Sequence, residues 1–350
     1  MEGWFTGLPH LSLKPEPGTG CNLSSYFESM KSMRIYIRWG VKFAGIWLCS
    51  CMVIGIVAMQ WALHPWRRAL TPEAEALAQS IAAHNHAVLS EIAVTASDGA
   101  VLRGWNIRPL QGNGDAVILL HGVADNRMGM IGYADMLLHH GYAVLLPDAR
   151  AHGTSGGGVA TYGIKDADDI RRWYDWIEQA EAPHCIDGLG NSMGAALLLE
   201  SLPATPGFCA VVVESPYASF REASYDRLAE RVYAGAWLGR TLLRPAVEAG
   251  FLYARWKYGL DMEQDSPQNA VAASRVPVLL IHGKKDTNLP ARHSEMIVAH
   301  NRTRIPAVEL WEPAQAKHTG AAAAEPEEYA RRLLGWFASH DTVGESSDRR

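Results

Sequence analysis

The residues most able to do chemistry lie in the segment GLGNSMGAA, 188–196, where Ser192 stands two positions from Gly190 and two from Gly194. This Gly-x-Ser-x-Gly pattern is typical of a nucleophile elbow, a tight strand-to-helix turn that exposes the serine hydroxyl. The glycines leave room for such a turn because they carry no Cβ. The same pattern also occurs by chance, or where a helix start packs closely on a sheet. The surrounding elements therefore decide between these interpretations.

Apolar runs and amphipathic stretches alternate around this motif, which predicts strands and helices in turn. An antiparallel hairpin over 92–107, with its turn at Asp98-Gly99, precedes them. The predicted strands are 116–122, 143–149, 185–190, 209–215, 276–283 and 306–312, and the predicted helices are 131–140, 166–180, 195–202 and 326–340. The alternation predicts an α/β fold with a mostly parallel sheet and helices on both faces. The serine then lies between a buried strand and a helix, which favours the elbow.

A serine hydroxyl needs a base to take its proton and a carboxylate to orient that base. Asp286 follows the fifth predicted strand of this series, and His318 follows the sixth. Each alone is an ordinary loop residue, but Ser192, Asp286 and His318 occur in the order that α/β-hydrolases use. The carboxyl ends of parallel strands meet at one edge of the sheet. The three are therefore predicted to form a catalytic triad, with Glu214 as a second candidate acid ranked well below Asp286.

A negatively charged reaction intermediate needs two N–H donors. The Met193 N–H is the first candidate, because it opens the helix after the elbow, where N–H groups are unpaired. The second candidate is the Val123 N–H, in the loop HGVADN (121–126), where Gly122 lets the backbone turn sharply.

These segments give residues 92–340 a resemblance to α/β-hydrolase-fold serine hydrolases, of the serine aminopeptidase-like and Bem46-like groups. The segments that carry the resemblance are DGAVLRGW (98–105), HGVADNR (121–127), GYAVLLPDARAHGTSGG (141–157), GNSMGAA (190–196), IHGKKD (281–286) and KHTGA (317–321). The resemblance implies hydrolysis of an ester-type bond through an acyl-enzyme, with peptide or thioester cleavage as the alternatives. It implies no metal and no cofactor. A non-catalytic ligand-binding protein of the same fold is the alternative from another class.

Related sequences usually read Asp-x-Arg-Gly-His-Gly where this chain has Asp148 to Gly153, so Ala151 replaces a glycine. Asp148, Arg150 and His152 are interpreted as structural. His152 is also a conceivable base, but it follows the wrong strand.

Residues 217–272 are too long for a simple crossover and carry many aromatic residues, which predicts a small helical cap. A cap at this point would cover the serine and shape an apolar substrate pocket. The alternatives are that the rings only pack the cap onto the body, or that part of the cap touches a bilayer.

The run Phe43–Leu63 carries no charge and has the length of a bilayer span. A buried core helix and a cleaved signal peptide are the alternatives, but no clear Ala-x-Ala site follows. We expect a flexible segment at 1–42, a transmembrane anchor at 43–63, a linker at 64–91, the hydrolase domain at 92–340 and a flexible tail at 341–350. Basic residues before the span favour a cytoplasmic N-terminus and a catalytic domain on the far side, periplasmic or extracellular.

The composition narrows the remaining classes. A formal net charge of -5 leaves no basic footprint for nucleic acid. Five cysteines are too few for a disulfide scaffold, and Cys185 and Cys209 are expected to be buried thiols. No Cys-x-x-Cys or His-Glu-x-x-His spacing occurs, so no metal site is predicted. A small acyl ester, thioester or peptide is the expected substrate, and the bilayer is the expected partner of residues 43–63.

Overall fold

The computed structural model describes residues 23–231 and 235–341, in two units, Met1–Cys49 and Ser50–Arg350. The strands are β1 (Ala87–Thr95), β2 (Val101–Pro109), β3 (Ala116–Leu120), β4 (Ala143–Pro147), β5 (Ile186–Asn191), β6 (Val211–Glu214), β7 (Val278–Ile281) and β8 (Val308–Trp311). The helices are α1 (Leu23–Leu63), α2 (Pro72–His84), α3 (Ile131–His139), α4 (Asp166–Glu181), α5 (Met193–Ser201), α6 (Phe220–Arg231), α7 (Ala236–Arg240), α8 (Arg244–Tyr258), α9 (Pro267–Ala272), α10 (Arg292–His300), α11 (Ala321–Ala324) and α12 (Pro326–His340).

The strands form one sheet in the order β1-β2-β4-β3-β5-β6-β7-β8. The pairs β1–β2 and β2–β4 are antiparallel, and every other neighbouring pair is parallel. The mostly parallel sheet predicted from the sequence is therefore confirmed. The parallel strands β3 to β7 are buried along their whole length, as the apolar runs of β3, β4 and β7 predict.

Two apolar layers cover the sheet, one on each face. Strand β3 shows the alternation, because Ile118 packs into one layer and Val117 and Leu119 pack into the other. Helices α4, α5, α9 and α10 supply side chains to the first layer, and α2, α3 and α12 supply side chains to the second. The sheet thereby holds the loops at its carboxyl edge on a rigid support.

The N-terminal region differs from the expected segments. Helix α1 begins at Leu23, so residues 23–42 are helical rather than flexible, and residues 1–22 lie outside the described part. The expected linker 64–91 contains α2 and the start of β1, and Ala78 and Ala82 of α2 are buried in the core. This segment therefore belongs to the body. Of the expected tail, only Asp341 is described.

Helix α1 is long and apolar enough to cross a membrane, by length and composition. Signal sequences and buried core helices share this property, so the anchor and its orientation stay predictions.

The cysteines of the body correct another expectation. Cys185 and Cys209 form a disulfide instead of remaining thiols, with their Cα atoms 5.8 Å apart. They precede the neighbouring parallel strands β5 and β6, and the Cys209 N–H donates to Ile186 O at 2.9 Å. The strand pairing brings the two residues side by side, which the sequence pattern alone does not reveal.

Candidate active site

Ser192 lies directly after β5, on a turn that the backbone strains to make. Its φ of 54° and ψ of -113° are rare for a residue with a side chain. A Cβ at Gly190 would lie 2.6 Å from Gly194 O, and a Cβ at Gly194 would overlap the carbonyl group of Leu120. Both positions therefore require glycine, as the sequence pattern predicts. The Ser192 N–H donates to Glu214 O at 2.8 Å, which ties the turn to the neighbouring strand β6.

The structure brings Ser192, His318 and Asp286 into one hydrogen-bonded row. His318 Nε2 lies 2.8 Å from Ser192 Oγ, and His318 Nδ1 lies 2.7 Å from Asp286 Oδ2. The carboxylate only accepts, so we assign the proton to Nδ1 and leave Nε2 to accept from the serine. The Asp286 side chain is fully buried, while the His318 side chain is 20% exposed. This arrangement can pass the serine proton to a base that the substrate side can reach.

Backbone contacts hold the loops of the acid and the base together. The Lys284 N–H donates to Pro313 O at 3.1 Å, and the Lys285 N–H donates to Ala316 O at 3.0 Å. A Cβ at Gly283 would overlap the carbonyl of Ala316, so this glycine permits the close approach. The distance from Asp286 to His318 is therefore set by main-chain contacts between the two loops.

The carboxylate of Asp286 is held in its charged form. Burial raises the pKa of Asp286, but hydrogen bonds from His282 and His318 and the Leu289 N–H outweigh it, so the pKa lies well below its usual range. Asp286 Oδ1 accepts from the N–H groups of Asn288 and Leu289, both at 2.9 Å. A charged carboxylate can orient His318 and stabilise the imidazolium that forms.

Sequence reasoning missed the part that His282 takes in this site. Its side chain is fully buried, with Nδ1 2.7 Å from Ser294 Oγ and Nε2 2.8 Å from Leu289 O. Nε2 also lies 3.3 Å from Asp286 Oδ2. Since a carbonyl can only accept, Nε2 carries the proton and points it at both oxygens. The spacing of four residues to Asp286 in IHGKKD was the available signal.

The predicted oxyanion donors are the N–H of Met193, which directly follows the serine, and the N–H of Val123, which follows Gly122. Gly122 is close to it, because a Cβ there would lie 3.5 Å from Ser192 Cβ. In the part of the chain that the structure describes, neither the Val123 N–H nor the Met193 N–H donates a hydrogen bond. Unpaired N–H groups at this position suit a developing negative charge.

His121 orients the peptide that carries the Val123 N–H. The Ala149 N–H donates to His121 Nε2 at 3.0 Å, so Nδ1 carries the proton and donates to Gly122 O at 2.7 Å. The C=O and N–H of a trans peptide point in opposite directions, so this bond directs the Val123 N–H away from His121. Burial lowers the pKa of His121, which keeps the ring neutral and fixes this pattern.

The two alternative residues stand apart from the row. The buried Glu214 accepts from the Ala321 N–H at 2.8 Å, lies 3.5 Å from Tyr133 Oη, and makes no described hydrogen bond to His318. Burial raises the pKa of Glu214 to about 7. The ring of His152 packs 5.4 Å from that of His121 and does not contact the serine. Burial and the neighbouring His121 lower the pKa of His152 to about 4.

The loop that follows β4 is held by buried ion pairs. Asp148 Oδ2 lies 2.8 Å from an Arg127 guanidinium nitrogen, and Arg150 binds both oxygens of Asp169 at 2.8 Å. Ala151, at the position where related sequences usually have glycine, has a φ of 59°. The loop therefore keeps a left-handed conformation, at a cost of about 1 kcal/mol for a residue with a Cβ.

Within residues 23–231 and 235–341, no three His, Cys, Asp or Glu side chains are placed to hold a metal ion.

Comparisons with known proteins agree with this architecture. A sequence profile described as "Alpha/beta hydrolase family" matches residues 117–332. An esterase of Pyrococcus furiosus is 25% identical, with a TM-score of 0.62 over 80% of this chain and 98% of the esterase. The acylaminoacyl peptidase of Pyrococcus horikoshii is 17% identical, with a TM-score of 0.55 over 75% of this chain and 43% of the peptidase.

Two curated relatives come from Bacillus subtilis. The uncharacterized protein YqkD is 27% identical over 207 residues, which are 58% of this chain and 65% of YqkD. The uncharacterized peptidase YuxL is 23% identical over 284 residues, which are 73% of this chain and 40% of YuxL. The chain therefore spans less than two thirds of either relative.

Proposed function

The chain belongs to the alpha/beta hydrolase family, and we propose that it is a membrane-anchored serine hydrolase that cleaves carboxylic ester-type bonds. The observation that carries the proposal is the pair of hydrogen bonds that joins Asp286 to His318 and His318 to Ser192. The strained turn at Ser192 supports it, because such a turn presents the hydroxyl to a substrate.

The reaction would follow the geometry of this row. Ser192 Oγ attacks the carbonyl carbon while His318 Nε2 takes its proton, and Asp286 stabilises the imidazolium. The N–H groups of Met193 and Val123 donate to the carbonyl oxygen as it becomes negative. The tetrahedral intermediate collapses, His318 returns the proton to the leaving alcohol, and Ser192 holds the acyl group. A water molecule, deprotonated by His318, then releases the acid and restores the serine.

The esterase of Pyrococcus furiosus, at 25% identity over most of both chains, favours an ester over other acyl substrates. The likeness to YuxL, called a peptidase, keeps peptide cleavage as the second candidate. A thioester is the remaining acyl alternative.

We place the catalytic body outside the cytoplasm, with the N-terminus inside. The basic residues before the apolar run favour this orientation, because positive flanks stay in the cytoplasm. The disulfide between Cys185 and Cys209 supports it independently, since such bonds persist mainly in oxidising compartments. Protease treatment of cells whose outer envelope has been removed, before and after lysis of the inner membrane, tests it: we expect digestion of the body before lysis, and protection until lysis would overturn the orientation.

A fluorophosphonate probe tests the chemistry directly. The full-length protein in detergent is treated with the probe beside Ser192→Ala, His318→Ala and the control Ser90→Ala, which removes an exposed hydroxyl from β1. We expect labelling of the wild type and the control and none of Ser192→Ala or His318→Ala. No labelling of the folded wild type would overturn the catalytic proposal and favour a ligand-binding role. Matched butyryl esters, thioesters and anilides then rank the three bond types.

A further inference from the structure

The last part of α1, within the unit that contains the body, packs along α8, which lies within the predicted cap at 217–272. Cys51 Sγ lies 3.9 Å from Leu242 O, and a Cβ at Gly55 would overlap the Ala246 carbonyl. A Cβ at Gly250 would lie 2.9 Å from Gly55 O. Contacts therefore advance together along both helices, so α8 runs parallel to α1. We call this contact between α1 and α8, formed by Cys51, Gly55, Ala246 and Gly250, the seam. Its small residues bring the two backbones close, as in packing between membrane helices.

Polar contacts fix the end of this seam. The hydroxyls of Tyr253 and Tyr258 both donate to Gln60 Oε1 at 2.8 Å. The carboxyl-terminal ends of α1 and α8 therefore lie at the same level.

Helix α8 has an apolar face that is half-buried at Pro245 and Ala249 and exposed at Leu252 and Trp256. Its buried side is formed by Ala246, Val247, Gly250, Phe251 and Ala254. Pro245, Ala249, Leu252 and Trp256 follow each other at intervals of four, three and four residues, so they share the outward side. Leu252 is 69% exposed and Trp256 is 80% exposed. An amphipathic helix in water would carry polar residues there.

Aromatic residues are frequent near the carboxyl-terminal ends of α1 and α8, where Gln60 lies. Trp61 is 70% exposed and Trp66 is 80% exposed at the end of the apolar run, and Trp256 lies beside the two tyrosines at the end of α8. Tryptophan and tyrosine collect where a bilayer meets water, and basic side chains beside them suit lipid headgroups. Arg255 and Lys257 supply that charge in the last turn of α8.

We propose that the outward face of α8, Pro245, Ala249, Leu252 and Trp256, lies in the bilayer that α1 enters, and that this bilayer presents the ester to the enzyme. The proposal rests on the membrane anchoring and the hydrolase activity proposed above. Continuity with the proposed anchor selects a lipid surface as the occupant, because α8 lies directly against residues 51–60, the part of the apolar run that belongs to the same unit.

The cap connects this face with the catalytic loops. The rings of Phe251 on α8 and Phe220 on α6 stack with centroids 6.0 Å apart. Phe220 packs against a buried cluster that includes Leu289, and the Leu289 N–H is bonded to Asp286. A helix docked in lipid is therefore connected through the packed side chains of the cap to the loop of the proposed acid, which suits an amphiphilic ester drawn from the membrane.

Depth-dependent fluorescence quenching tests the docking without using catalysis. Full-length protein with Cys21→Ser, Cys49→Ser and Cys51→Ser, which leaves only the disulfide cysteines, is labelled with bimane at Trp256→Cys or Leu252→Cys and reconstituted in vesicles of equal parts phosphatidylcholine and phosphatidylglycerol. Lipids with a nitroxide in the acyl chain should quench both positions. The control label at Leu110→Cys, on an exposed apolar residue outside the cap, should stay bright. Absence of quenching at 252 and 256 in membrane-inserted protein overturns the docking, whereas failure of the protein to insert overturns the anchoring.

Activity tests the second half of the proposal. The double variant Leu252→Glu/Trp256→Glu should hydrolyse a long-chain ester in those vesicles about tenfold more slowly than the wild type, because two apolar contacts are lost. Its rate on a soluble butyrate ester should be unchanged, since neither residue is in the triad. The matched control Leu110→Glu/Ile305→Glu changes two exposed apolar residues elsewhere and should keep both rates. Equal rates of the cap variant and the control on vesicles would overturn the proposal, and so would an equal loss of both rates, because the defect would then not depend on the bilayer.

Discussion

Replacing Asp286 by Asn tests whether Asp286 is the acid of the triad, because the change alters which nitrogen of His318 carries the proton. In the wild type, Oδ1 accepts from two backbone N–H groups and Oδ2 accepts from His318. In the variant, the amide oxygen takes the place of Oδ1 and the amide nitrogen faces His318. That nitrogen only donates, so His318 Nδ1 loses its proton and Nε2 gains one. Nε2 then cannot accept the proton of Ser192.

The expected loss in kcat for this tautomer error is about ten-thousand-fold, which corresponds to about 5 kcal/mol of transition-state stabilisation. The assay is the initial rate on a soluble p-nitrophenyl butyrate, measured with full-length protein in detergent from neutral to alkaline pH. KM should change little, because the fully buried Asp286 side chain is out of reach of the substrate.

Glu214→Gln is the matched control, since Glu214 is the other buried acid near this edge and contacts Ala321 rather than His318. We expect it to lose less than about tenfold, because it changes only a hydrogen-bond acceptor behind the loop. A variant Asp286→Asn that keeps more than a tenth of the activity would refute the reasoning. A larger loss in Glu214→Gln than in Asp286→Asn would transfer the role to Glu214.

Three further predictions concern stability. The disulfide of Cys185 and Cys209, 24 residues apart, should contribute about 3 kcal/mol to the free energy of unfolding in urea, and an unchanged midpoint after reduction would contradict this. Burial raises the pKa of Glu214 from 4.5 to about 7, so its contribution is present below pH 4.5 and is lost as the pH rises through 7. Relative to Glu214→Gln, the free energy of unfolding of the wild type should fall by about 3 kcal/mol between about pH 5 and pH 8. A rise over this range would contradict the raised pKa of Glu214. Gly194→Val should cost about 1–3 kcal/mol because its Cβ overlaps a carbonyl of β3, while Gly132→Val, with open space around it, should cost less in the same titration.

The sequence predicts those features that depend on local pattern. The elbow at Ser192 combines a short motif with a buried strand before it and a helix after it, and all three can be recognised along the chain. Asp286 and His318 were found by the same logic, since each lies in the loop after a buried or partly buried strand. The order of parallel strands then brings the three loops to one edge.

Other features depend on contacts between distant segments. The pairing of Cys185 with Cys209 requires knowledge of which strands are neighbours, and His282 looks like an ordinary strand residue until Asp286 folds back on it. The early start of α1 is different, because its signal was local. Lys31, Arg34 and the following basic residues recur every three or four positions, which is helical spacing as well as a run of positive charge.

The seam between α1 and α8 determines how this protein can be shortened. A fragment that starts after the apolar run, at residue 64, would lose the segment of α1 that packs against Ala246 and Gly250. It would also leave the hydroxyls of Tyr253 and Tyr258 without Gln60. Such a fragment would uncover a strip of small residues on the cap and tend to aggregate. The end of α1 is thus a structural piece of the body, and a stable fragment would have to retain residues from about 50 onward.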